Sequence, residues 1–177
     1  FIVRWPGQVE PGSRSDETIS LADIMATCAG ILDYKLPANA AEDSISLLPL
    51  LNGKKPEKPL HDIVIHHSIS GHFAVRKGQW KLLLCKGSGG WSSPRESEAA
   101  KRKLPMLQLY DLLNDPKETK NLHAKYPEKV KELAGDLVKA ISAGRTTSGP
   151  PQPNQGWPNT VPKPILEKFP QLEGPKK

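Results

Sequence analysis

Residues 63–85, IVIHHSISGHFAVRKGQWKLLLC, decide the fold. Two β-rich runs, Phe73-Ala74-Val75-Arg76 and Trp80-Lys81-Leu82-Leu83-Leu84, flank the dipeptide Lys77-Gly78. Glycine supplies the positive φ that a tight turn demands, so the pattern predicts a β-hairpin. Ile63-Val64-Ile65 predicts a strand before it, ending at His66-His67. Three of the five histidines (His66, His67 and His72) therefore fall within seven residues, at the end of one strand and the start of the next. An imidazole is a neutral donor and acceptor, or a cation, near neutral pH. Such a group suits contact with an anion or a hydroxyl; the plainer alternative is three solvated strand-end side chains.

A chain of 177 residues holds one ordinary domain with a sizeable core. Its formal charge of +6, from 25 basic and 19 acidic residues, is a modest surplus. No motif or aromatic-lined basic face accompanies it, so a nucleic-acid partner is not expected, whereas an anionic small molecule or polysaccharide is compatible. The two cysteines, Cys28 and Cys85, have neither C-x-x-C nor Cys/His metal spacing; two buried free thiols are expected, with a single disulfide as the alternative. No apolar run approaches the length of a membrane span. The chain opens without Met or a signal peptide, on Phe1-Ile2-Val3-Arg4-Trp5, which alternates like a strand. That opening leads us to expect a fragment of a longer protein.

Ser20-Leu21-Ala22-Asp23 has the S-x-x-D form of a helix start. Ala22, Met25, Ala29 and Leu32 follow at helical spacing, widened by Ile24, Cys28 and Ile31, and the helix should end near Leu32. Ser46 to Leu51 predicts one or two helical turns, closed by Asn52-Gly53, and a charged, Pro-bearing linker follows. After Cys85, Lys86 to Pro94 reads as a flexible loop bearing Trp91, and Arg95 to Lys103 as a solvated charged patch. Leu107 to Tyr110 alternates as a further strand. Pro127 opens the longest helix, whose stripe Val130, Leu133, Leu137 and Ile141 runs to Gly144. From Ser148 onward Pro and Gly dominate, so the tail should wrap the surface or stay disordered.

The glycines from Gly87 to Gly90 lack the Lys-Ser/Thr ending and the following helix of a phosphate loop. Trp91 is suited either to stack on a sugar ring or to cap the sheet. In Ser92-Ser93-Pro94-Arg95 the arginine follows Pro directly, which is the wrong spacing for a Cys/Ser-x-Pro-x-Arg nucleophile. Asp111, Asp115 and Glu118 fit turn and helix-start chemistry better than a metal cluster. The chain offers binding candidates and no catalytic engine.

The order of motifs carries more. IVRWPGQVEPGS (residues 2–13), SLADIMATCAG (20–30), SLLPLLNGK (46–54), FAVRKGQWKLL (73–83) and LQLYDLLNDPKETKNL (107–122) together resemble the type I sulfatases, the arylsulfatase family of the alkaline-phosphatase-like superfamily. The similarity runs from Phe1 to about Gly149, and the string from Leu109 to Leu122 is its most specific piece. Ala26 departs from the family's usual Pro, and Ser44 from its usual Gly. The resemblance implies an α+β fold, a small C-terminal subdomain with an antiparallel sheet of about four strands packed with a C-terminal helix. The last strand and helices of a large α/β domain would precede it. On this basis residues 1–60 are assigned to the end of the large domain, 61–147 to the small subdomain and 148–177 to a Pro/Gly-rich tail.

Sulfatases hydrolyse aryl or carbohydrate sulfate esters with a formylglycine nucleophile and a Ca²⁺ ion. Both belong, by resemblance, to the part of the complete enzyme upstream of Phe1, so no catalytic residue and no metal ligand is assigned here. The fragment alone is expected to be inactive. Its expected role is to shape the substrate entrance, with His66, His67, His72 and Trp91 as candidate contacts to a sulfated small molecule or glycan. The expected protein partner is the missing N-terminal α/β domain, and the resemblance implies a periplasmic or secreted enzyme. A stand-alone binding module for anionic glycans, or part of a phosphate or phosphonate ester hydrolase, are the alternatives.

Overall fold

Alternation between Phe73 and Leu83 gives the expected hairpin, shifted at its tip by one residue. In the computed structural model, which describes residues 1–153 together with Leu166, Glu167 and Pro170, β2 (Phe73–Lys77) pairs antiparallel with β3 (Trp80–Leu83). Lys77 pairs with Trp80, so the two turn residues are Gly78 and Gln79 rather than Lys77 and Gly78, with Gly78 at φ +54°. β1 (Val64–His67) adds on one side and β4 (Gln108–Asp111) on the other, completing a four-stranded antiparallel sheet in the order β1-β2-β3-β4.

The chain forms two compact units. The second comprises residues 63–144 and the described residues beyond 152, and contains the sheet. Register puts Ile65, Val75, Leu82 and Leu109 in one row across the four strands. Helix α4 (Pro127–Ala143) lays Val130, Leu133, Ala134 and Leu137 on that face, with Val75, Leu82, Leu109, Leu133 and Leu137 fully buried. Each such leucine contributes roughly 1.5–3 kcal/mol by leaving water. Lys77 on β2 bridges Asp136 at 2.7 Å and Glu132 at 3.2 Å on α4, which fixes the helix across the hairpin. Gly144, at φ +63°, ends α4 as its composition predicts. The stretch expected to be a solvated charged patch instead forms α3 (Glu96–Lys101), with Ala99 fully buried and Glu98 and Lys101 exposed.

The first unit comprises residues 1–62 and 145–152. Its helices are α1 (Asp23–Ile31) and α2 (Leu48–Leu51). The S-x-x-D signal is realised in both halves: Asp23 Oδ2 accepts the Ser20 N–H at 2.7 Å, and Ser20 Oγ accepts the Ala22 N–H at 3.2 Å. The buried side of α1 is Asp23, Thr27 and Ala29, not the apolar stripe read from the sequence. Thr27 Oγ1 donates to the Asp23 carbonyl at 2.6 Å and accepts the Leu47 N–H at 2.8 Å, and Asp23 Oδ1 accepts the Ile45 N–H at 2.9 Å. These polar contacts turn the helix, leaving Met25 and Leu32 exposed at 51% and 76%. Cys28 is exposed as well, contrary to the expected burial, while Cys85 is buried; both are free thiols.

Phe1 to Trp5 forms no strand, since an extended run without a paired neighbour leaves its backbone ladder unmade. The two departures from the sulfatase pattern touch each other: Ser44 Oγ accepts the Ala26 N–H at 2.9 Å, a donor that Pro would lack. The Arg145 guanidinium donates to the Ala38, Thr147 and Pro150 carbonyls, binding residues 145–150 onto the 38–43 region. Most of the expected Pro/Gly-rich tail lies outside the described residues.

Candidate functional site

Successive strand residues point to opposite faces, so β1 separates the two histidines that the sequence places side by side. His67 shares the α4 side with Ile65 and meets its cross-strand partner Phe73 edge-on, ring centroids 4.2 Å apart. His66 pairs with Ala74 on the other side, where Lys81 bridges Glu118 at 2.6 Å. Burial, followed by the Lys81 charge, holds His66 below the ordinary histidine pKa; burial alone does so for His67. Both rings keep access to solvent. At neutral pH they therefore act as neutral donors and acceptors rather than cations.

The connection from His67 to His72 is a closed turn. Ser68 N–H donates to the His72 carbonyl at 2.9 Å, Ser68 Oγ accepts the His72 N–H at 3.1 Å, and the Gly71 N–H returns to the Ser68 carbonyl at 2.9 Å.

The loop after β3 is tied down, contrary to the flexible loop expected. The Glu96 carboxylate accepts the Gly87 N–H at 2.7 Å and the Lys86 N–H at 3.3 Å. The Gly87 carbonyl accepts Gln108 Nε2 at 2.7 Å, and Ser88 N–H donates to the Pro94 carbonyl at 2.8 Å. Only glycine fits at position 87, because a Cβ there would stand 2.4 Å from the Pro94 oxygen. Gly89, at φ +72°, wedges against Ser68, where a Cβ would come within 3.0 Å of the serine Cβ. Gly90 lies against Ile69 in the same way, at 3.5 Å.

The His67–His72 turn and the Trp91 loop thus meet at one end of the sheet. Trp91 is 78% exposed there, and Ile69, which Gly90 lies against, is a second exposed apolar side chain. Arg95 Nε donates to the Trp91 carbonyl at 3.4 Å. Of the four candidates, His67 and His72 bound the turn that Gly89 and Gly90 pack against, Trp91 follows those glycines in the chain, and β1 turns His66 to the face opposite His67. Ile69 and Arg95 were not among the residues singled out from the sequence. An apolar residue inside the otherwise polar S-I-S-G turn was the available signal for Ile69; nothing local marks Arg95.

The groups implied by the resemblance do not fit these residues. Among the described residues no cluster of three or more His, Cys, Asp or Glu side chains could hold a metal ion. Cys85 is buried and its thiol pKa is pushed up to about 12, mainly by desolvation, so it is a poor candidate for conversion or attack.

A sheet of this order with one long helix across it is the architecture of the C-terminal subdomain of sulfatases. A sulfatase of Bacteroides thetaiotaomicron, solved in work on the metabolism of multiple glycosaminoglycans, superposes with a TM-score of 0.61 at 32% identity, covering 79% of this chain and 28% of that one. No family model matches the chain. It is 34% identical over 141 residues to an N-acetylgalactosamine-6-O-sulfatase of Bacteroides thetaiotaomicron, covering 80% of this chain and 26% of the relative. It is also 30% identical over 169 residues to an ulvan-active sulfatase of Formosa agariphila, covering 84% of this chain and 33% of the relative. The chain belongs to the sulfatase family. It spans about a quarter to a third of the length of these curated relatives.

Proposed function

We propose that this chain is the C-terminal part of a sulfate-ester hydrolase acting on sulfated carbohydrates, in which the His67–His72 turn and the Trp91 loop shape the substrate entrance. The similarity along 80–84% of the chain to relatives named for N-acetylgalactosamine-6-O-sulfate and ulvan supports the reaction class and favours a glycan substrate. Residues 1–60 would complete the large α/β domain and residues 61–147 would be the small subdomain. The nucleophile and the Ca²⁺ ligands would come from the rest of the enzyme.

In such an enzyme the sulfate is held at the reacting centre and the leaving alcohol projects outward. A rigid rim can grip that alcohol and spend the binding energy on orientation. The neutral imidazole of His67 suits a sugar hydroxyl, and the indole of Trp91 suits the apolar face of a pyranose ring.

The test is sulfate release by the complete protein that carries this chain, offered sulfated galactosamine, sulfated algal oligosaccharides and matched phosphate esters, beside the 177-residue chain alone. Turnover of sulfated sugars by the complete protein and none by the chain is expected. Preference for the phosphate esters, or turnover by the chain alone, would overturn the proposal.

A further inference from the structure

The end of the sheet that carries Trp91 also carries a cation with no counter-charge. Among the described residues no carboxylate lies within ion-pair distance of Arg95. The acidic side chains nearest to it in sequence are committed elsewhere. Glu96 is spent on the Lys86 and Gly87 N–H groups, and Glu98 accepts Ser93 Oγ at 2.9 Å and faces Arg102 at 3.7 Å. Arg95 is exposed, and its Nε is used on the Trp91 carbonyl. That bond leaves the two terminal nitrogens of the guanidinium available beside the most exposed tryptophan of the described chain. The backbone beneath both residues is fixed by the Ser88-to-Pro94 bond and by the close seat of Gly87 under Pro94 and Arg95.

We propose that Trp91 and Arg95 form a subsite for an anionic sugar: the indole stacks on the ring, and the guanidinium binds a carboxylate or sulfate on that ring other than the ester being cleaved. A planar guanidinium matches a carboxylate or sulfate with two parallel hydrogen bonds, and an aromatic face matches the C–H face of a pyranose. Arg95, which donates to the Trp91 carbonyl, is the cation held next to Trp91 on this loop. Little ordering cost remains on binding, because the loop is already held. This inference rests on the reading of the chain as part of a carbohydrate sulfatase, but its test measures binding and not turnover.

The ¹⁵N-labelled 177-residue chain is titrated with glucuronate, N-acetylglucosamine 6-sulfate, neutral N-acetylglucosamine and inorganic sulfate at constant ionic strength, following the indole signal of Trp91. That signal is identified from Trp91→Phe. It should move with either or both anionic sugars, and the two arms tell a carboxylate subsite from a sulfate one. Neutral sugar should bind far more weakly and inorganic sulfate should leave the indole unmoved. Arg95→Gln should weaken the anionic sugar by about 10- to 150-fold, the range for hydrogen bonds to charged groups, and leave neutral sugar unchanged. Arg95→Lys, checked for folding by circular dichroism alongside it, should keep part of the preference. Equal response to neutral and anionic sugars, no response to any sugar, or full affinity in Arg95→Gln would overturn the proposal. A complete protein that fails to release sulfate defeats the functional reading above and leaves a positive titration standing; sulfatase activity with an unmoved Trp91 does the reverse.

Discussion

The imidazole Nε2 of His61 stands 2.9 Å from Asp23 Oδ2, with both side chains buried and the two residues 38 positions apart in the chain. The same carboxylate accepts the Ser20 and Ile45 N–H groups, so one acidic side chain joins the start of α1, the approach to α2 and the segment leading into the sheet. Asp23→Ala would orphan the buried His61 nitrogen and two part-buried backbone N–H groups at once and should cost about 3–5 kcal/mol, at about 1–3 kcal/mol for each donor left unsatisfied. His61→Ala leaves Asp23 with two backbone donors and should cost less, about 1–3 kcal/mol. Denaturant midpoints of the two variants test this ranking; the reverse order would show that Asp23 is not the hub.

Ala26 and Ser44 are predicted to be energetically coupled through their 2.9 Å hydrogen bond. Ser44→Gly alone should destabilise by about 0.5–1.5 kcal/mol, the net worth of one such bond. In the Ala26→Pro background the same change should cost nothing, because Pro at that position has no N–H to offer. A double-mutant cycle measures the difference. Additive effects would make the contact incidental.

Two glycines should respond in opposite directions to alanine. At Gly87 the new methyl would meet the Pro94 oxygen at 2.4 Å, so Gly87→Ala should cost about 1–3 kcal/mol and displace the Trp91 loop. Gly135 lies within α4 with open space where its Cβ would be, and Gly135→Ala should stabilise by about 0.5–1 kcal/mol through helix propensity. Thermal denaturation of both variants checks the signs.

The lowered pKa values of His66 and His67 make stability depend on pH. The unfolded chain takes up protons near the ordinary value of about 6.5, while the folded protein resists them until lower pH. Their contribution is therefore fully present above about pH 6.5 and is lost as pH falls through the folded values. The denaturant midpoint should drop between pH 7.5 and 5.5, and the drop should be smaller in the His66→Gln/His67→Gln double variant. An unchanged pH dependence in that variant would assign the effect to other groups.

In the complete enzyme, His67→Ala and Trp91→Ala should each lower kcat/KM on the natural sulfated substrate by about 5- to 150-fold, for contacts worth roughly 1–3 kcal/mol. His66→Ala should have a smaller effect, since β1 turns that ring to the other face. Wild-type efficiency in both of the first two variants would return His67 and Trp91 to ordinary surface residues.

The sheet and α4 are legible in the sequence because their signals are local. Phe73 to Leu83 alternates around a glycine, and Val130, Leu133 and Leu137 recur at helical spacing; both patterns need only a neighbouring apolar face to be satisfied. Sulfatase membership is likewise carried by the order of short motifs from Ile2 to Leu122. The sequence also places His66 and His67 at a strand end, and alternation alone sends them to opposite faces. What needed the tertiary structure are the contacts between residues distant in the chain. Asp23, Thr27, Ile45 and Leu47 turn α1 onto its polar side, against the hydrophobic stripe, because buried backbone donors must find acceptors and these side chains supply them. Glu96 and Gln108 convert a glycine-rich run into a fixed loop by accepting and donating at Gly87. That anchoring, together with the packing of Gly89 on Ser68, brings Trp91 and Arg95 to the His67 end of the sheet. Local composition carries no record of which distant carboxylate or amide will meet a given backbone group, so only the folded chain decides it.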